Sequence, residues 1–524
     1  IVLPARSSLK KVSGNGELHP LGGVKYLMHL NGTLGDKGHF SSIEGNAIKI
    51  SDQFGTDTLR VVLGDIAYDL EMRVAPVSFD GEGTASNPFL IRTKEDMVQL
   101  SKITSEKQQT FPGDHFLMTN DIDMSGADGF LGICGDATIA TGTYNKFAGV
   151  FDGGNHSVRN LKLDWIEWTT RPEASADGLG TPDSKNCLGV RGLFGKLAPE
   201  GVIRNVIIDK SCSFWFWARS GAIVGQNEGL VENCRNHGEL RTASQIASGI
   251  VGENRKGTVR RCYNDGTIIT GAGVAGGIVG TGNGRLEECV NAGEIKPMVW
   301  TTFNTSTKKF TACGGIQGEN KGSDMFNCVN YGHVSGYNKL GGISGELGAV
   351  TSTSVLGRNE LHSVINVGTI SYDDPTSVGA LAGTSGTTGT VENTHWDRQI
   401  ITEAAHGGLS LKGAKGLFTS VLTSGKPLEG FDTSVWDFAA GKYPALSWCL
   451  DEPVVQHARA LVVNINAPHT AADFHGSASL AGLDGASWKL DDNSRYAING
   501  SVLSAPASVT EKITGQLTGT SGDY

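Results

Sequence analysis

Apolar and polar positions alternate over short distances only. Apolar residues gather in runs of about four to six that glycine closes, too brief and too glycine-broken for helices. A Gly-apolar-x-Gly unit recurs at Gly192-Leu-Phe-Gly195, Gly249-Ile-Val-Gly252, Gly277-Ile-Val-Gly280, Gly315-Ile-Gln-Gly318, Gly342-Ile-Ser-Gly345 and Ala380-Leu-Ala-Gly383, with a copy one residue longer at Gly221–Gly225. Successive copies start 27 to 29 residues apart, with two steps of 38. A second block follows in most copies, as in Val231-Glu-Asn-Cys-Arg-Asn236-His-Gly238 and Leu286-Glu-Glu-Cys-Val-Asn291-Ala-Gly293.

Val231, Cys234 and their equivalents suit strands. The block's glycine is expected where the backbone turns with positive φ. Its Asn is a turn residue that tolerates the left-handed region and can hydrogen-bond its counterpart one coil away. About 28 residues with two or three strands match one coil of a right-handed parallel β-helix, whose stacked coils share one core. A β-propeller blade needs about 40–45 residues and four strands, which the period disfavours. The fold expected is all-β: a solenoid over 81–450, flanked by a small β-sandwich over 1–80 and another, incomplete one over 451–524. Thr58–Leu63 and Tyr68–Val74 alternate as sandwich strands do, and Arg459–Ile465 reads similarly.

The repeat resembles a known family. Gly192-Leu-Phe-Gly195 and its variants look like the GLUG motif of bacterial surface proteins, also found beside the catalytic domain of M26-type IgA-cleaving peptidases. Gly83–Ile91 with Asp96–Leu100 resembles the opening of such regions, and Asn120–Ser125 with Phe147–His156 resembles their first rungs. His395–Asp397, Trp436-Asp437 and Tyr443–Leu446 resemble their ending. The resemblance implies a β-helix and a surface location. It brings no catalytic residues, because the peptidase's HExxH motif does not occur in the sequence. Ser477–Leu483 with Ile513–Gly519 faintly resembles fimbrillin-type pilus subunits of Bacteroides-like bacteria, which implies pilus or surface assembly.

Composition narrows the partners. Glycine is 73 of 524 residues, about twice its ordinary share, against only 15 prolines. Lys and Arg number 44 against 54 Asp and Glu, a net charge of −10, so nucleic acid is not an expected partner. No apolar run is long enough to span a membrane. The chain opens at Ile1 rather than Met, and an upstream leader carrying a lipid anchor is the expectation. Nine cysteines are present, and Cys234, Cys262, Cys289 and Cys328 hold equivalent repeat positions. They predict a column of buried thiols rather than disulfides or a metal site.

Several motifs have two readings. Gly271–Gly276 satisfies GxGxxG, but a rung follows it where a dinucleotide site needs a helix. Asp121, Asp123 and Ser125 begin like a calcium loop, yet position twelve is Gly132 where a Glu is required. No other cofactor is expected. Glu253, Glu319 and Glu346 should align from coil to coil, either as a polar row softened by Arg255, Lys256 and Lys321 or as an acid–base pair. Trp165, Trp168, Trp215, Trp217, Trp300 and Phe303 fall in segments of variable length, which in solenoids commonly form the binding face. They either bind sugar rings and protein partners or pack beneath the loops. Phe214 and Phe216 face opposite to Trp215 and Trp217.

Two functions fit. One is an exported adhesin or ligand-binding protein of the cell surface or outer membrane, binding a glycan or a host surface protein. The other is a polysaccharide lyase or glycoside hydrolase on a β-helix. A lyase needs a base beside charge-neutralising groups, whereas His237, His333 and His362 are scattered.

Overall fold

The computed structural model describes 16–17 and most of 24–452, then the short strands at 477–479, 487–490, 497–499, 502–504 and 517–520. Within 24–452 it leaves out 40, 45–46, 51–54, 75–78, 107–109, 128, 136–144, 165–167, 171–180, 183–189, 217–218, 243–245, 272, 298–311, 349–358, 373–376, 387–389 and 402–410. The expected sandwich over 451–524 therefore lies mostly outside the described residues. Residues 16–74 form antiparallel sheets of three and four strands. The only α-helices among the described residues are Lys94–Glu106 and the single turn Thr419–Leu422, with a short 3-10 helix at Ser447–Cys449. None is long and apolar enough to cross a membrane.

Between Val150 and Asp397 the described strands stack as a parallel β-helix, apart from the antiparallel pair Trp168–Thr170 and Thr181–Pro182. One coil contributes Arg219–Gly221, Val224–Asn227, Leu230–Glu232, Arg235–Asn236 and Glu239–Thr242. These fall into four sheets, and each pairs in parallel with its equivalent one coil on. The 38-residue steps do not break the register: Val279 still pairs with Gln317 and Ser344 with Ala382. Much of the extra length lies at 298–311 and 349–358, outside the described residues.

A typical coil has five short strands rather than two or three: four sheets each take a strand, and a left-handed residue inside the long sheet divides its strand in two. Asn205, Asn233, Arg261, Glu288, Asn327, Ser363 and Asn393 have φ of 56°, 53°, 51°, 51°, 54°, 54° and 47°. All but Asn205, which lies within the strand Val202–Ile208, stand between two short strands of the long sheet. Asn tolerates this region because its short polar side chain bonds locally. Arg261 and Glu288 do so as an ion pair, Nε to Oε2 at 2.9 Å.

The glycine of the second block is therefore not the positive-φ residue expected, and its Asn is extended rather than left-handed. The glycine is required for space. A Cβ on Gly266 would sit 2.0 Å from Gly238 O and 2.6 Å from Asn236 Nδ2, and one on Gly293 or Gly332 would meet the same groups one coil on. The second of these contacts belongs to an asparagine ladder. Asn236, Asn264, Asn291 and Asn330 each donate from Nδ2 to Oδ1 of the next, at 2.8, 2.8, 2.8 and 2.9 Å, ending on Asn366. Asn366 closes the ladder on Ala380 O at 2.8 Å. All five are fully buried.

Inside, Cys234, Cys262, Cys289 and Cys328 form the predicted thiol column, fully buried in one continuous core. Their Sγ–H groups donate to the carbonyl two residues back at 3.3 to 3.4 Å. Burial pushes the Cys262 and Cys328 thiols well above their ordinary range. The eight described cysteines are free, as expected.

A solenoid must hide its ends. At the first coil the core turns aromatic, Phe79, Phe89, Phe111, Phe116, Phe147, Phe151 and Phe194 lying 5.1 to 6.0 Å apart along the chain of contacts. The helix Lys94–Glu106 adds Met97, Leu100 and Ile103 to this core. Its start is a reciprocal cap: Asp96 N–H donates to Thr93 Oγ1 at 3.2 Å, and Thr93 N–H donates to Asp96 Oδ2 at 3.0 Å.

After the last coil the chain doubles back along the outside of the long sheet. The outward residues Tyr263, Val290, Val329 and Ile365 would be an exposed apolar stripe. Instead they join Leu422, Phe431, Trp436, Tyr443, Leu446 and Cys449 in a second core. Polar contacts follow the strap down coil by coil. Trp436 Nε1 donates to Asn327 Oδ1 at 2.9 Å, Tyr331 OH to Pro444 O at 2.5 Å, and Trp448 Nε1 to Glu288 O at 3.0 Å. The strap ends on an ion pair, Arg235 Nε to Glu452 Oε1 at 2.5 Å.

Two outcomes follow from this packing. Asn291→Ala orphans amide groups above and below it, so urea unfolding should show a loss of about 1–3 kcal/mol for each group left unpaired. Trp436→Ala should cost about 3–5 kcal/mol. Limited proteolysis should then cleave the strap 418–452 first, with far-ultraviolet circular dichroism unchanged.

Candidate functional site

A tight turn joins Val224–Asn227 to the long sheet, and its equivalents stack along the molecule. Outward residues beside it form one column in strict register: Lys196, Gln226, Glu253, Thr281, Glu319, Glu346 and Thr384. The three glutamates do share the column, with Thr281 between Glu253 and Glu319.

Each glutamate is held by cations. Glu253 takes Arg219 at 3.0 Å, Arg255 at 2.7 Å and the Gln226 amide at 3.0 Å. Glu319 takes Lys321 at 2.8 Å and the Thr281 hydroxyl at 3.1 Å, and Glu346 takes Lys339 at 2.6 Å. Burial opposes ionisation of Glu253, but the Arg255 hydrogen bond and the Arg219 and Arg255 charges outweigh it and keep the carboxyl below its ordinary range. Of the two readings, the geometry matches the polar row. Glu253 is an ionised anchor, not a proton donor.

Over this column lies an open groove of about 640 Å³, bounded by Pro199 and Glu228 at one end and Lys321 at the other. It crosses four coil steps, roughly 19 Å at the usual strand spacing. Lys196 stands where the cations converge. Burial, then the charges of Arg255 and Lys146, push its ammonium down to about 8, against the opposing pull of Glu228 and Glu253.

The other candidates are placed elsewhere. Trp215 lies on Ser213–Phe216, half-buried, with the Arg241 guanidinium 5.8 Å from its ring centre. Phe214 and Phe216 are core residues. Trp168 lies on Trp168–Thr170, paired with Thr181–Pro182, its side chain outside the described residues. Trp165, Trp217, Trp300 and Phe303 also lie outside them. No described tryptophan lines the groove.

Asp121 binds Arg159 at 2.5 Å and accepts the Ser157 N–H at 2.8 Å. Asp123 accepts Ser125 N–H at 2.8 Å and the Asn160 amide at 3.0 Å. Among the described residues no three His, Cys, Asp or Glu side chains converge as a metal site would need. His237 faces Asp265 at 2.7 Å, His333 faces Thr369 at 2.6 Å, and His362 stacks on Phe326 at 5.0 Å. The GxGxxG segment runs into the strand Val274–Gly276, an ordinary rung.

Sequence reasoning read Arg255, Lys256 and Lys321 as neutralisers of the glutamate row; Arg255 and Lys321 pair with Glu253 and Glu319, Lys256 pairs with no carboxylate among the described residues, and Lys146, Lys196 and Arg219 were missed. Lys196 follows Gly195 as Glu253 follows Gly252, a spacing that signals its column, whereas Arg219 is matched by Val190 and Ile246 in the neighbouring coils and Lys146 precedes the repeat, so no spacing signals those two.

The lowered Lys196 pKa carries a stability sign. The folded chain binds that proton more weakly than the unfolded chain, so the charged lysine opposes folding below about pH 8, and the penalty fades as pH rises toward 10.5. Lys196→Met should therefore raise the melting temperature at pH 7. The gain over the parent should shrink between pH 8 and pH 10.5 in parallel thermal melts.

Comparison with known proteins gives partial likenesses. No family model matches the chain. A segment of 177 residues is 25% identical to Halomucin of Haloquadratum walsbyi; it is 33% of this chain and spans 2% of that protein's length. A provisionally named immunoglobulin A1 protease from Bacteroides ovatus, solved by crystallography, aligns with a TM-score of 0.42 at 20% identity, over 70% of this chain and 94% of that one. A second structure, an IgA1 Protease, aligns with a TM-score of 0.38 at 13% identity, over 76% of this chain and 30% of that one.

Proposed function

We propose that this chain is an exported surface protein that binds a ligand without turning it over, an adhesin-type β-helix whose target is a glycan or a host surface protein. The observation that carries this reading is the state of the column under the groove. Its carboxylates are spent on ion pairs, Glu253 is held ionised, and no acid–base couple of carboxyls stands free there. A glycoside hydrolase needs one carboxyl kept protonated opposite another. A rigid scaffold with outward residues fixed coil by coil suits recognition. The family resemblance of the repeat agrees with surface display, and a pilus-like assembly role for 451–524 belongs to the same reading.

One observation favours a second reading. Lys196 is a partly buried amine lowered toward neutrality beside arginine, the kind of base that β-elimination of an acidic polysaccharide requires.

The test is retention on a glycan array and on immobilised host surface proteins, with reaction products followed in parallel. Retention without release of reducing or unsaturated sugar ends is the expected outcome. Release of unsaturated ends, abolished by Lys196→Met, would replace the adhesin with a lyase. Loss of retention in Trp215→Ala would place the contact on the aromatic sheet rather than in the groove.

A further inference from the structure

We infer that the groove is a binding site for a linear acidic polysaccharide lying along the solenoid axis, gripped by cations that rise from successive coils. The inference rests on the ligand-binding reading and names the ligand class.

Three observations carry it. The first is local charge. Arg255, Lys256 and Lys321 line the groove against Glu228 and Glu253, and Lys146 and Arg219 pair with those same two carboxylates beside it, in a chain of net charge −10. The second is height. The carboxylate side chains of Glu228, Glu253 and Glu319 are 22%, 15% and 19% exposed, while the side chains of their partners Lys146, Arg219, Arg255 and Lys321 are 38%, 41%, 48% and 41% exposed. An incoming anion meets ammonium and guanidinium groups first, and the paired carboxylates hold those groups in place. Lys256 tops the turn, exposed and without an ion pair among the described residues. Its backbone is fixed by an N–H bond to Asn283 Oδ1 at 3.1 Å.

The third is spacing. Arg255 and Lys321 occupy equivalent turn positions two coils apart, roughly 10 Å by strand spacing, with Asn283 between them. A polymer carrying acidic groups at regular intervals can meet each cation without bending. A compact anion would use only one. The depressed Lys196 ammonium agrees in its second cause: burial lowers it most, the charges of Arg255 and Lys146 add to that, and an anion bound there would offset those charges.

The test measures binding of the purified full chain to heparin, to polygalacturonate, to neutral dextran and to single-stranded DNA. Saturable binding to an acidic polysaccharide and none to dextran is expected, with affinity falling as salt rises from about 50 mM to about 500 mM. Preference between heparin and polygalacturonate tells sulfate from carboxylate recognition. Combined Arg255→Ser, Lys256→Asn and Lys321→Ser should weaken binding about tenfold or more. Lys256→Asn alone keeps the left-handed turn and should weaken it by a few fold, and Lys426→Ser, outside the groove, should not change it. Unchanged affinity in a triple variant that melts like the parent overturns the inference, as does equal affinity for DNA. If no polyanion binds while a neutral glycan or host protein still retains the chain, this inference fails and the surface-binding reading stands. If nothing retains it, both fail.

Discussion

The structure depends on how closely successive coils approach. Parallel strands one hydrogen bond apart leave no room for a Cβ where a coil's corner meets the corner below. At Gly266, Gly293, Gly332 and Gly368 the chain has none, and carbonyl oxygens and the Asn236, Asn264, Asn291 and Asn330 amides fill the space. Each amide donates to the next coil and to its own glycine carbonyl, so a row of buried polar groups is satisfied without water. A one-residue slip in any coil would break the amide row and drive a side chain into a carbonyl. The register is thus specified by polar contacts as well as by the apolar interior.

That interior needs no bulk to be stable. Cys, Val, Ile and Leu, stacked one per coil, exclude water along the whole axis. Only the first coils use phenylalanine, where the bore must be closed by a helix. The left-handed residue before each cysteine turns the cysteine inward and the following residue outward. That outward position is Tyr, Val, Val and Ile at 263, 290, 329 and 365, and the returning strap buries it. At the equivalent position one coil earlier stands Arg235, and there the strap leaves the apolar stripe through its Glu452 ion pair. Local backbone geometry and the second core are therefore linked through the same left-handed residue.

On the adjacent corner the column is polar, and electrostatics replace packing. Like charges one coil apart repel, so the column alternates glutamate with Gln226 and Thr281 where it can. Where Glu319 and Glu346 do follow each other, a lysine attends each one. The result is a floor of fixed anions under a layer of cations, a charge arrangement that no single coil possesses.

The sequence by itself determined the solenoid. Gly-apolar-x-Gly and Cys-x-Asn-x-Gly recur at the period of one coil, and the thiol column and amide ladder follow because equivalent residues must stack. It also marked the ending motifs at His395–Asp397, Trp436 and Tyr443–Leu446, though not that they fold back as a strap. Why each glycine is there was decided only in three dimensions: the demand comes from the neighbouring coil, not from the residue's own φ. The groove belongs to the same class. Lys196, Arg219 and Arg255 lie in different parts of the repeat, with Lys146 before it, and they converge because coils of unequal length still stack in register. A periodic pattern reports what every coil shares, whereas a site is made from what the coils do not share.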